Sequence, residues 1–319
     1  MNPETQIDPT EVDEAMQWRE KAEHSKLRPN GSTLGELVQP MAEQQDNLTY
    51  DPVIFCGCLD QAAKWWWACS LFLKLAGFLF GAIIILLTLP SKPVPYVIAL
   101  VTLLSEAAIL RSDSIKGVAQ SLRRKIDFED GLGWTISREE YSDLIMRSPA
   151  SVKIKACNKP QAESYFASNE PPGPRRALQN VTESPWWSKH LAEKMGQYCA
   201  TVIVVATVLA FVILVMTLEG SSVHDTASAV SRVVTSVLML VLSLGLVKMM
   251  LGYFGFAKKS EKAEQKAIEA LKAAAPSDVD AVKVMNDYHI PRASAPILPT
   301  WVWKWHRDEL NKTWKELRM

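Results

Sequence analysis

Between Trp65 and Phe256 the chain contains four stretches from which charged residues are almost missing. The first, Trp65 to Leu89, carries only Lys74; the second, Val94 to Leu110, carries Glu106 near its end; the third, Tyr198 to Leu218, carries no Lys, Arg or Asp until it meets Glu219. The fourth, about Ala227 to Gly252, holds Arg232 near one end and Lys248 near the other. A helix rises about 1.5 Å per residue, so runs of this length cross roughly 30 Å of hydrocarbon. Some 64 mostly polar residues precede the first run, which is the wrong place for a signal peptide.

The flanks give an orientation. Arg111 to Gly196 contains 14 Lys and Arg, the tail from Ala257 contains 12, and the two short linkers, Pro90 to Pro93 and Glu219 to Thr226, contain one and none. The positive-inside rule then expects both termini and the central segment in the cytoplasm. The expected fold is an all-α integral membrane protein: four transmembrane helices in two hairpins, with a mainly helical cytosolic region. Its parts are an acidic cytosolic N-terminal region (1–63), a first transmembrane hairpin (64–110), a cytosolic insert (111–197), a second transmembrane hairpin (198–256) and a cytosolic helical tail (257–319).

Lys74 and Glu106 lie at matching depth in the first hairpin, each about 20 Å from its outer turn. Three readings stand side by side: an ion pair that registers the hairpin, two side chains that snorkel separately to the headgroups, or charges lining a water-filled path in an oligomer. Trp65, Trp66 and Trp67, behind Lys64, fit an aromatic belt, and Arg232 and Lys248 fit anchors at the ends of their span.

In the polar parts, a helix is expected from about Pro9 to Leu27, capped by Thr10. Ile115, Val118, Leu122 and Ile126 recur at helical spacing, so the second span continues out of the membrane as a helix. Glu129 to Ile145 reads as a turn followed by a short strand or helix. The tail reads as a helix over Lys258 to Ala275, a second from near Ser277 ending before Pro291, and a third starting at Pro299–Thr300. In the third, Trp303, Leu310, Trp314 and Leu317 share one face while Trp301 and Trp305 point away. That face packs on the cytosolic domain or lies on the membrane, and the mixed charges favour packing.

Thirty-five basic and 35 acidic side chains cancel, so no basic excess marks a nucleic-acid polymer as partner. Five cysteines, an odd number, read as free thiols; Cys56 and Cys58 lack a second pair or a nearby histidine to complete a zinc site. No P-loop, dinucleotide fingerprint, nucleophile elbow or zincin motif occurs, so neither an enzyme nor a cofactor is expected.

Three local strings complete the pattern: FEDGLGWTIS (Phe128 to Ser137), NVTESPWWSKHLAEKMGQYCATVIVVA (Asn180 to Ala206) and the terminal SAPILPTWVWKWHRDELNKTW. With the two-plus-two spans, they resemble the SMODS-associated four-transmembrane effectors of bacterial cyclic-oligonucleotide antiphage systems. Trp186, Trp187, Pro299, Trp301 and Arg307 stand where that family has a Trp-rich approach to the third helix and a Pro-, Trp- and Arg-containing last helix. The resemblance implies a multi-pass protein of the bacterial inner membrane that a cyclic oligonucleotide drives to form a homo-oligomer and permeabilise the bilayer. A nucleotide would need cations and aromatic faces, for which the candidates are Arg175, Arg176, Trp134, Trp186 and Trp187. The alternative is a non-conducting membrane scaffold or sensor that signals through its cytosolic helices.

Overall fold

The computed structural model describes residues 50–86, 93–157, 166–220 and 244–317, with positions 234, 237 and 241. Every regular element among them is helical. They are α1 (Pro52–Leu86), α2 (Val94–Leu132), α3 (Arg138–Met146), α4 (Ala150–Cys157), α5 (Pro174–Gly220), α6 (Leu246–Leu271), α7 (Asp278–Ser294) and α8 (Thr300–Leu317). Three of them, α1, α2 and α5, are long and apolar enough to cross a membrane. The fourth expected span falls mostly outside the described residues, as does the expected N-terminal helix.

Each long helix joins an apolar shaft to a charged extension without a break. Asp51 starts α1: its Oδ1 accepts the N–H groups of Val53 at 2.8 Å and Ile54 at 3.1 Å, and Pro52 follows with its φ already helical. At the C-terminus of α2, Gly133 closes the helix with φ of 75°, a left-handed cap that costs glycine nothing. Ser137 then caps α3 by accepting the Glu140 N–H at 3.2 Å, resolving the strand-or-helix ambiguity there toward helix.

α1 and α2 run antiparallel. Cys56 Sγ meets Ala119 O, Ala63 O meets Ser112 Oγ, and Ser70 Oγ meets Ser105 Oγ, so numbers rise on one helix as they fall on the other. α5 and α6 do the same: Lys189 pairs with Glu264 at 2.7 Å, and Gly196 lies against the Phe254 ring. The two described cores both lie on the charged side of these pairs. One gathers Phe55, Leu59, Leu122 and Tyr141 from α1, α2 and α3. The other gathers Leu178, Tyr253, Met285 and Tyr288 from α5, α6 and α7.

The tail departs from expectation at one proline. α7 runs through Pro291 to Ser294 instead of ending before it. Pro291 lies in the last turn, where its missing N–H removes one helical bond, and Ala295 N–H closes the end on Arg292 O at 3.2 Å.

Candidate functional site

Residues 295–301 form a collar that touches all four long helices at one level. Ala295 O accepts the Lys116 ammonium of α2, and Ile297 O accepts the Tyr253 hydroxyl of α6 at 2.5 Å. Thr300 Oγ1 accepts the Lys64 ammonium of α1 at 3.4 Å, and the Trp301 ring lies 5.4 Å from that of Tyr198 on α5. Pro296 presses on Gly252, where a Cβ would come within 2.7 Å of the proline ring. This is the level at which Trp65 and Tyr198 begin their apolar runs and Tyr253 follows one. Burial of the Lys116 ammonium lowers its pKa, as expected for a cation taken out of water.

On the apolar side of the collar lies the first candidate pair. Lys74 Nζ and Glu106 Oε1 are 2.9 Å apart, so the matched depth read from sequence becomes a direct contact. The partners differ in setting: the Lys74 side chain is 15% exposed and that of Glu106 54%. Ser112 marks the collar level through Ala63, and Glu106 lies six residues further along α2, or roughly 9 Å into the shaft. Around it the surface is apolar, with Leu103, Leu104 and Leu110 exposed. Nothing in the described fold covers the Glu106 carboxylate from outside.

On the charged side, α2, α5 and α7 meet around a polar junction that sequence reading did not isolate. The Arg176 guanidinium donates to both Asp130 oxygens, at 2.6 and 3.1 Å, and to Glu170 O at 2.8 Å. Asn180 Nδ2 donates to Asp130 Oδ2 at 2.7 Å. Behind this network a cavity of about 10 Å³ is lined by Asp127, Asn180, Ser184, Tyr288 and His289 among others. His289 Nε2 approaches Asp127 Oδ2 at 3.4 Å without forming a hydrogen bond. Burial raises the Asp127 carboxyl to about 6 and holds the His289 imidazole down at about 3, with Arg292 adding to the histidine's shift. Both shifts disfavour charge, so the pair is best described as a neutral imidazole beside a carboxyl of elevated pKa, not an ion pair. The sequence signal was faint: two acids one turn apart on α2, and their partners on α5 and α7.

The proposed ligand residues fall into two groups. Trp134, Arg175 and Arg176 lie at this junction. Trp134 is half exposed and stacks on Phe128, whose ring in turn stacks on His289; Arg175 is exposed, 4.0 Å from Glu170. Arg176 is held by Asp130. Trp186 and Trp187 lie about three turns further along α5, against α8: Trp186 packs on Trp314 and Trp187 on Trp303, at 5.1 and 5.4 Å. The structure thus does not bring all five to one pocket. Of the interface candidates, Trp65 is exposed, Trp66 and Trp67 are half-buried, Lys248 is exposed on α6, and Arg232 lies outside the described residues. Cys56, Cys58, Cys69 and Cys199 are free thiols, and burial pushes the Cys56 thiol up to about 12, far from a reactive thiolate. Comparison with protein-family models, with curated proteins and with solved structures gives no match.

Proposed function

We propose that this chain is a multi-pass membrane effector whose copies assemble so that the Glu106 wall of the α1–α2 hairpin faces water, opening a path for ions. The observation that carries this reading is the half-exposed Glu106 carboxylate on an otherwise apolar shaft. Left against hydrocarbon, such a charge costs several kcal/mol even when one neighbour pairs with it. Water in a lumen, or a second copy of the chain, removes that cost. In this reading the uncharged sequence around residues 227–252 is the fourth span, and the basic flanks keep the charged body and both termini in the bacterial cytoplasm.

The resemblance of the FEDGLGWTIS, NVTESPWW and SAPILPTWVW strings to the SMODS-associated effectors supports a cyclic oligonucleotide as the trigger. In this reading the exposed Trp134 ring stacks a base and Arg175 meets phosphate, while Arg176, spent on Asp130, fixes the loop that presents them. Ligand shifts the assembly only through tighter binding to the open form than to the resting one.

The test is dye flux from proteoliposomes challenged with a panel of cyclic di- and trinucleotides. One or more should release the dye, and Trp134→Ala with Arg175→Ala should raise the concentration needed at least tenfold. Vesicles that stay sealed with every nucleotide, while the protein pulls down a partner, would favour the scaffold reading instead.

A further inference from the structure

α8 reaches two separate levels of α5. Trp301 and Trp305 lie 5.4 and 6.3 Å from Tyr198, whereas Trp303 and Trp314 meet Trp187 and Trp186. Tyr198 and Trp187 are eleven residues apart on α5, a rise of roughly 16 Å. At 100° per residue, Trp303 and Trp314 leave α8 within about 20° of each other, and Trp301 and Trp305 leave nearly opposite to them. A helix that meets the lower level with one face and the upper level with the other lies across α5, not along it. The His306 Nε2 contact with the Tyr198 hydroxyl, at 2.9 Å, pins this crossing at the collar.

One face of α8 is therefore used up in packing. The opposite face presents Trp305, 69% exposed, and Trp301, 38% exposed, toward the level where the apolar shafts begin. Lys312 leaves α8 on this side with Lys304 and Lys315 at its edge, and the exposed Asp308, Glu309 and Glu316 share it, Glu316 lying 3.9 Å from Lys312. Exposed Trp65 on α1 stands at the same height, one residue beyond the Lys64 that binds Thr300. Indole rings at the edge of hydrocarbon with lysines beside them match the chemistry of lipid headgroups: apolar bodies with polar N–H tips, and cations for phosphate.

We infer that α8 is an interfacial helix, lying in the plane of the bilayer surface with Trp301 and Trp305 seated among lipid headgroups and Lys304 and Lys312 on their phosphates. The occupant of this face is the same bilayer that the shafts cross, because the face is continuous with their surface through the collar. The inference rests on the reading that α1, α2 and α5 span the membrane. It does not depend on conduction.

The full chain in phosphatidylcholine–phosphatidylglycerol nanodiscs tests it. A ketone amino acid at position 305, 72 or 279 takes a nitroxide without touching the cysteines. Position 72 reports a shaft, since Phe72 is 70% exposed on α1, and Val279, 61% exposed, reports the charged body. Collision with oxygen against a water-soluble nickel chelate should give an oxygen-to-nickel ratio at 305 several-fold above that at 279 and below that at 72. A ratio at 305 equal to that at 279, with 72 still in lipid, overturns the inference and leaves the spans standing. Low access to both reagents at 305 means that protein covers this face, and also overturns it. Water access at 72 removes the spans themselves.

Discussion

Asp127 and His289 pull the stability of the charged body in opposite directions as pH falls. The carboxyl, raised from 3.8 to about 6 by burial, binds its proton more readily when folded, so its cost to stability is full above pH 6 and fades between 6 and 4. The imidazole, lowered from 6.5 to about 3, favours the folded state fully above 6.5, and that contribution is lost as pH drops toward 3. Asp127→Asn should therefore unfold progressively more easily from pH 6.5 downward, whereas His289→Gln should gain thermal stability from pH 6 to 4. Melting in micelles across that range checks both, and two profiles parallel to the wild type would refute these two opposed contributions. Asp130 is a sharper probe, because it accepts from both Arg176 and Asn180. Asp130→Ala should cost about 2–4 kcal/mol by stranding the guanidinium, measurable as a lower urea midpoint. Such residues are hard to read in sequence, since the contacts join positions 46 to 162 apart. Lys74 and Glu106 were legible because a charge inside an apolar run is conspicuous and hairpin depth can be counted.

At the scale of elements, the helices are legible where a cap or a period marks them. Ser277 accepts the Asp280 N–H at 3.1 Å, close to where the second tail helix was expected to start, and Thr300 opens α8 as the Pro–Thr pair suggested. Ser137→Ala should loosen α3 by about 1 kcal/mol, read as faster amide exchange over residues 138–146 with little change elsewhere. Pro291 shows where local rules stop: a breaker is tolerated in a final turn that tertiary contacts hold, with Tyr288 and His289 buried just before it. The collar was not legible as a unit. Ala295, Ile297 and Pro296 act through backbone carbonyls and a proline ring, which have no sequence signature, and Thr300 meets Lys64 from 236 positions away. Gly252→Val should nevertheless report it, because the added atoms collide with Pro296, costing about 1–3 kcal/mol and releasing α8. Faster exchange across residues 295–305 in that variant is the expected readout.

For the whole molecule, the division of labour follows from where the chain spends its charges. Apolar shafts leave their surfaces for lipid, while the charged extensions pack into cores that the α7–α8 segment ties together: Ile297 belongs to one core and Val302 to the other. The collar contacts link the charged body to the shafts, and under the proposed function they are the route by which a nucleotide bound near Trp134 would act on Glu106. If the Lys74–Glu106 contact only registers the hairpin, Lys74→Leu with Glu106→Leu should preserve flux; if it lines a path, the double variant should lose it. The most direct measurement is the reversal potential of single channels in a planar bilayer under a salt gradient. With Glu106→Gln the uncompensated Lys74 should move selectivity toward anions, shifting the reversal potential by many millivolts from the wild type. An unchanged reversal potential at equal conductance would contradict the placement of Glu106 in the conducting path.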